Sequence, residues 1–93
     1  MNITQERDFK GVWIPREIWL STKLSMLEKI ILTEIDSLAS ENGCRENNAY
    51  FAQFCQCSES KVSETITKLI KLNYIYIEFE QNKRVLKSNL GKQ

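Results

Sequence analysis

The stretch FAQFCQCSESKVSETITKLIKLNYIYI, residues 51–77, contains two cysteines separated by one residue and, directly after them, a helical pattern. Ser58 is a residue type that caps helix N-termini. After it, Val62, Ile66 and Leu69 recur at helical spacing, and polar side chains fall between them. The stretch therefore predicts a helix with one apolar side and one polar side.

A second, shorter helix is predicted before the cysteines. Asn47 or Asn48 can cap it, and the segment AYFAQFC supplies its length. The residues CQCS, 55–58, then form an elbow between the two helices. Asn73 stands where the longer helix must end, because asparagine tolerates a left-handed conformation. The pattern predicts two helices joined by a short turn over about residues 47–73.

A β-hairpin is predicted after the longer helix. The segment YIYIEFE alternates, which places Ile75, Ile77 and Phe79 on one face of a strand. The residues QNK supply a turn, and RVLKS can return as the second strand. The hairpin covers about residues 74–88.

Another helix is predicted upstream. Ser25 and Glu28 have the spacing of a capping box, in which the serine accepts from one backbone amide and the glutamate reaches back to another. An apolar face follows, made of Leu27, Ile30, Ile31, Ile35, Leu38 and Ala39. Asn42 and Gly43 are predicted to end this helix, because both residue types tolerate positive φ.

Residues 1–20 are predicted to form an N-terminal arm. The segment FKGVWIP reads as a short strand or an extended segment, and Pro15 can open a short turn through REIWL. We expect the large apolar side chains of this arm to anchor it: Trp13, Ile14, Ile18 and Trp19.

The order of helix, short helix, elbow, longer helix and hairpin predicts a winged helix-turn-helix. This is an α+β fold with a three-helix core and a C-terminal β-hairpin as the wing. Since 93 residues suffice for one core, residues 1–93 are predicted to form a single winged-helix domain.

Four features between residues 47 and 77 carry a resemblance to a known family: Phe51-Ala52, the elbow Cys55-Gln56-Cys57-Ser58, Lys61-Val62, and Leu69 followed by Asn73-Tyr74-Ile75. In their order and spacing they resemble the winged-helix domains of bacterial and phage replication-initiation proteins, including DnaD-type N-terminal domains and phage replisome organisers. The resemblance covers about residues 9–88 and implies a DNA-binding role in replication. Those domains have glycine where this chain has Gln56. Either Gln56 is left-handed, at a cost of roughly 1 kcal/mol, or the elbow has another shape.

The composition argues against several classes of protein. The 42% of hydrophobic residues are not gathered into a run that could span a membrane, and the N-terminus MNITQERDFK lacks a signal-peptide core. We therefore expect a cytoplasmic protein. The chain has no histidine, no glycine-rich phosphate loop and no paired carboxylates, so neither an enzyme nor a bound cofactor or small molecule is predicted.

Charge is distributed unevenly. Residues 1–57 hold six Lys and Arg against eight Asp and Glu, whereas residues 58–93 hold seven against four. The basic C-terminal part is consistent with an anionic partner, although an ordinary solvated charged face is the commoner explanation of such a charge balance.

The three cysteines are odd in number and are predicted to be free thiols. A zinc site needs about four ligands, and only Cys44, Cys55 and Cys57 are available without any histidine. Cys55 and Cys57 fall at the apolar, inward-facing positions of the elbow. We predict that they fill the core.

On this fold the helix over residues 58–72 is the recognition helix. The side chains predicted to face bases or phosphates are Ser60, Lys61, Ser63, Glu64, Thr67 and Lys68. Ser58 and the amides behind it suit a phosphate, and Lys83 and Arg84 at the hairpin tip are placed to reach an adjacent groove or the backbone. The partner is predicted to be duplex DNA, bound weakly by one copy because acidic residues share this face.

Tyr50 and Phe54 lie four residues apart on the shorter helix and form an aromatic pair. Either the N-terminal arm covers them, or they form a protein interface. The second reading supports an alternative function, a non-catalytic adaptor that forms homodimers or recruits replication proteins.

Overall fold

Residues 11–39 and 42–90, the part of the chain that the computed structural model describes, form four helices and one β-hairpin. The elements are α1 (Arg16–Trp19), α2 (Met26–Leu38), α3 (Asn48–Cys55), α4 (Glu59–Lys71), β1 (Ile75–Glu80) and β2 (Lys83–Ser88). This is the α+β winged helix-turn-helix predicted from the sequence. No helix within these ranges combines the length and the apolar content that a membrane span requires.

The first half of the predicted N-terminal arm, residues 1–10, lies outside the described residues. The prediction that this arm covers Tyr50 and Phe54 therefore falls largely on residues to which no structure is assigned.

Helix α2 is the central helix of the domain. The predicted capping box starts it: the Glu28 N–H donates to the Ser25 hydroxyl at 3.2 Å, and the Ser25 N–H donates to the Glu28 carboxylate at 2.8 Å. The helix contacts α1, α3, α4 and β2. Because neighbours surround it, five consecutive residues are buried: Ile31, Leu32, Thr33, Glu34 and Ile35.

The prediction that this helix ends at Asn42 is wrong, since α2 ends at Leu38. The chain leaves the helix early because the following segment pairs with β2. Cys44 and Leu86 exchange two backbone hydrogen bonds of 2.8 Å. Gly43, next to Cys44, allows this segment to come close to β2. Its φ is 89°, and a Cβ at this position would lie 2.4 Å from the Val85 side chain. Glycine is required there both for backbone conformation and for space.

The hairpin is joined by a two-residue turn. Gln81 and Asn82 have φ values of 52° and 65°, which fits the turn type that matches the twist of antiparallel strands. Lys83 is therefore the first residue of β2 and not part of the turn. Ile75 is buried, but Phe79 is 71% exposed. The predicted apolar face of β1 is therefore buried near the core and exposed toward the hairpin tip, because the hairpin extends past the helices.

The prediction that four apolar side chains anchor the arm is only partly right: Trp13, Ile14, Ile18 and Trp19. Ile14 packs against the core, as predicted. Ile18 is fully buried, but Trp13 is 87% exposed and Trp19 is 49% exposed. Since α1 is a single turn, it directs only Ile18 into the core. Trp19 is held from outside: the Lys29 ammonium lies 5.2 Å from its ring centroid and donates to its carbonyl oxygen.

Candidate nucleic-acid interface

The elbow between α3 and α4 keeps the helix-turn-helix geometry without glycine. Asn47 caps α3, because its side-chain oxygen accepts from the Tyr50 N–H at 2.9 Å. Gln56 follows the helix at φ 57° and ψ 49°, the first of the two predicted alternatives. The Cys57 N–H then donates to the Ala52 carbonyl at 3.0 Å. The turn between the two helices is thus made with a left-handed glutamine.

The cysteines of the elbow belong to the core, as predicted. Cys55 and Cys57 are partly buried and pack against the main hydrophobic cluster, and Cys44 is buried within it. Burial, with smaller contributions from Cys57 and Glu34, raises the pKa of the Cys55 thiol to about 11. The thiol is therefore protonated near neutral pH. Among residues 11–39 and 42–90, no three Cys, Asp, Glu or His side chains are grouped as metal ligands.

Helix α4 has the two faces that its sequence predicts. The Ser58 hydroxyl caps it by accepting from the Lys61 N–H at 3.0 Å. The buried stripe consists of Val62, Thr65, Ile66 and Leu69. The six residues predicted to face DNA are all exposed on the opposite side: Ser60, Lys61, Ser63, Glu64, Thr67 and Lys68.

The C-terminal part of this exposed face forms a shallow concave surface. It is lined by Ser63, Glu64, Thr67, Lys68 and Lys71. Lys71 was not among the predicted site residues, although it follows Thr67 by one helical turn, so the spacing could have identified it.

Lys68 is held by a neighbouring helix. Its ammonium donates to the Glu28 carboxylate of α2 at 2.9 Å. Burial raises the pKa of Glu28, but hydrogen bonds from Lys68 and Ser25 and the Lys68 charge outweigh this, so the pKa lies below its ordinary value. Lys61 is less constrained, since its ammonium lies 3.9 Å from Glu64 and both side chains are exposed. Lys61 is therefore the more available cation of the two.

Arg84, predicted to reach DNA from the hairpin tip, makes hydrogen bonds within the domain, and its DNA contact stays a prediction. Its guanidinium donates to the Asn48 side-chain oxygen at 2.7 Å and to the Glu46 carbonyl at 2.9 Å. Lys83, one residue earlier, is exposed at the end of the hairpin. Arg84 thus ties the wing to the start of α3, and Lys83 is the cation that the wing presents.

A second arginine links the same two regions, but here the arginine belongs to the loop before α3 and its partner to the wing. The Arg45 guanidinium, on the loop before α3, donates to the Glu80 carboxylate of β1 at 2.7 Å. Together the two arginines fix the wing relative to the helix-turn-helix. The sequence did not reveal this arrangement, because each pair joins residues about 35 positions apart. A cleft between the wing and α3 is lined by Arg45, Glu46, Asn47, Asn48, Lys83 and Arg84.

The aromatic pair on α3 lies at the edge of the core. The rings of Tyr50 and Phe54 are stacked with centroids 6.1 Å apart, and both side chains are half-buried. The Tyr50 hydroxyl donates to the Glu34 carboxylate at 2.5 Å. This bond accounts for a glutamate buried inside α2, because a buried carboxylate needs a partner. A protein interface at these two residues stays a prediction.

A comparison with known protein families agrees with this geometry. The model of a helix-turn-helix domain family matches residues 22–75, a span that contains α2, α3 and α4. No curated protein and no solved structure matches the chain. Because the matched span is more than half of the 93 residues, the chain belongs to this helix-turn-helix domain family.

Proposed function

We propose that this domain binds double-stranded DNA with α4 in the major groove, as part of a phage-type or plasmid-type replication or regulatory system. The observation that carries the proposal is the exposed face of α4. Its hydroxyl side chains and lysines stand opposite a fully packed stripe, so the core does not need them. The replication setting rests on the resemblance of residues 47–77 to replication-initiation domains.

The start of α4 suits a phosphate, and the middle suits base edges. Ser58 and the first-turn amides lie at the positive end of the helix dipole, where anions bind. Ser63 and Thr67 lie one turn apart on the exposed face and have hydroxyl groups that can donate to or accept from bases. Lys61 lies between these two regions and is placed to contact the backbone.

The wing contributes one exposed cation and a fixed orientation. Lys83 supplies the charge that reaches the backbone beside the groove. Arg84 acts mainly by holding the wing against α3 through Asn48. In this proposal Lys83 contacts DNA, and Arg84 mainly positions the wing.

The adaptor alternative receives less support at Tyr50 and Phe54. The Tyr50 hydroxyl is occupied by Glu34, and its ring packs against the core. Removing this side chain from the core to contact a partner would leave the Glu34 carboxylate buried without that donor.

The salt dependence of duplex binding tests the proposal. Two or three lysines per copy would neutralise phosphates, so the logarithm of affinity should fall against the logarithm of salt with a slope of roughly −2 to −3. Fluorescence anisotropy with a labelled duplex between about 50 and about 200 mM salt measures it. Lys83→Glu should weaken binding to every sequence and flatten the slope by about 1.

Two variants make this experiment specific. Lys23→Glu carries the same charge change on the loop before α2 and should have a much smaller effect. Thr67→Val keeps the side-chain shape and loses the hydroxyl. If Thr67 contacts a base, the variant should lose roughly 1–3 kcal/mol at one base-pair position with the slope retained. Absence of duplex binding by the wild-type domain at low salt would refute the proposal and favour the adaptor.

A further inference from the structure

The large apolar side chains that remain exposed are concentrated in one short part of the chain. Of the six such side chains in the described residues, five fall between positions 12 and 26. We call them the N-terminal apolar surface: Val12, Trp13, Trp19, Leu20 and Met26. Isolated apolar side chains are common on protein surfaces, but a concentration that includes two tryptophans is typical of an interaction site.

Contacts around Lys29 bring the second half of this surface together. The Lys29 ammonium lies over the Trp19 ring, and Met26 precedes Lys29 by three residues on α2. Residues three apart share a face of a helix, so Met26 lies on the same face of α2 as Lys29. Leu20 follows Trp19 directly as the C-cap of α1.

The other two side chains of the surface lie just before α1 in the chain. Val12 and Trp13 lie on the segment immediately before Pro15, and the Pro15 carbonyl accepts from the Ile18 and Trp19 amides. Trp13 lies two residues before Pro15, where α1 begins. Its indole is 87% exposed, so within the domain it contributes little to the core.

We propose that the N-terminal apolar surface is the contact between two copies of this chain. The five side chains expose on the order of 500 Å² per copy, so a symmetric pair would bury roughly 1,000 Å² before any flanking polar surface is counted. That area is about the minimum for a specific interface.

The charges beside the surface favour a second copy as the occupant. Arg16 and Glu17 are adjacent and exposed on α1, next to Trp19. In a two-fold arrangement each residue of one copy faces its counterpart region on the other, so opposite charges side by side can pair across the axis. A strongly basic surface would instead favour nucleic acid.

Sedimentation velocity in the absence of DNA tests the proposal, with tryptophan fluorescence as a second readout. The chain has two tryptophans, and both lie on this surface, so their emission reports on it directly. From low to high micromolar concentration, the wild type should change from monomer to dimer. The emission should shift to shorter wavelength as the indoles leave water.

Trp13→Glu should weaken the dimer at least tenfold and leave the melting temperature nearly unchanged, because an exposed side chain is replaced. Phe79→Glu is the matched control, since Phe79 is the remaining exposed large apolar side chain and lies on the wing. It should dimerise like the wild type.

Three outcomes would overturn the proposal: a monomer at every concentration, a dimer that survives Trp13→Glu, or an equal loss in Phe79→Glu. Quenching of a monomer by a single-stranded oligonucleotide would likewise overturn it and assign the surface to nucleic acid. Because the sedimentation samples contain no DNA, failure here is distinguishable from failure of duplex binding.

Discussion

Helices α2 and α4 have the same length and the same kind of start, but they are buried very differently. Each has 13 residues and a serine N-cap. α2 buries five consecutive residues, so neighbours enclose it on more than one side. α4 buries a single stripe and leaves its other face in solvent.

The difference shows how this fold separates stability from function. α2 organises the core, and even its buried Glu34 has a donor in Tyr50. α4 needs only its apolar stripe to stay in place, so residues such as Ser63 and Thr67 are available for a partner. Substitutions should therefore act mainly on stability in α2 and mainly on binding along the exposed face of α4.

The largest expected effect is a loss of stability in α2. Leu32→Ala should lower the free energy of unfolding by about 2–5 kcal/mol, because Leu32 is fully buried and its truncation leaves a cavity. Thr67→Ala on the exposed face of α4 should change it by less than about 0.5 kcal/mol. Urea unfolding measures both. A similar loss in the two variants would remove the distinction between the helices.

A smaller, pH-dependent effect is expected where the two helices are joined by Glu28 and Lys68. Because the Glu28 pKa is lowered in the folded protein, its contribution is present above the ordinary value of 4.5 and is lost as pH falls through the folded pKa. Glu28→Gln should cost about 1 kcal/mol at neutral pH and less at about pH 3.

Urea unfolding at the two pH values measures this difference. Glu64→Gln is the control, because Glu64 belongs to an exposed pair within α4, and its cost should stay below about 0.5 kcal/mol. A Glu28→Gln cost that is the same at both pH values would show that the carboxylate charge does not stabilise the connection.

The smallest effect is expected at the elbow that sets the position of α4, and it has the opposite sign. Gln56→Gly should stabilise the domain by roughly 0.5–1 kcal/mol, because glycine adopts the left-handed conformation without strain. Gln53→Gly, on the exposed side of α3, should instead destabilise it by a similar amount. Thermal melts compare them. Destabilisation by Gln56→Gly would mean that the glutamine side chain contributes to the elbow.

Features set by near neighbours in the chain could be predicted. The capping box at Ser25, the cap at Ser58 and the left-handed Asn73 depend on hydrogen bonds and backbone preferences within a few residues. The apolar stripe of α4 depends only on helical spacing. The exposed residues of α4 could be predicted from the same spacing, because they occupy the helix positions outside that stripe.

Contacts between distant parts of the chain could not be predicted in the same way. Arg84 was predicted to reach DNA from the hairpin tip, but α3 and the loop before it offer its guanidinium two oxygens. The burial of Glu34 depends on α3, which brings the Tyr50 hydroxyl to its carboxylate. Trp13 was predicted to anchor the arm, but it is 87% exposed in the folded domain.

The sequence by itself determined the order of elements, the helix starts marked by caps and the polar face of α4, because hydrogen bonds and periodicity over a few residues decide them. Only the tertiary structure decided which cations remain available and which apolar side chains remain exposed. Those outcomes depend on which groups become neighbours after folding. The Asn48 and Glu46 oxygens take the place of water at the Arg84 guanidinium, whereas no described element covers Trp13.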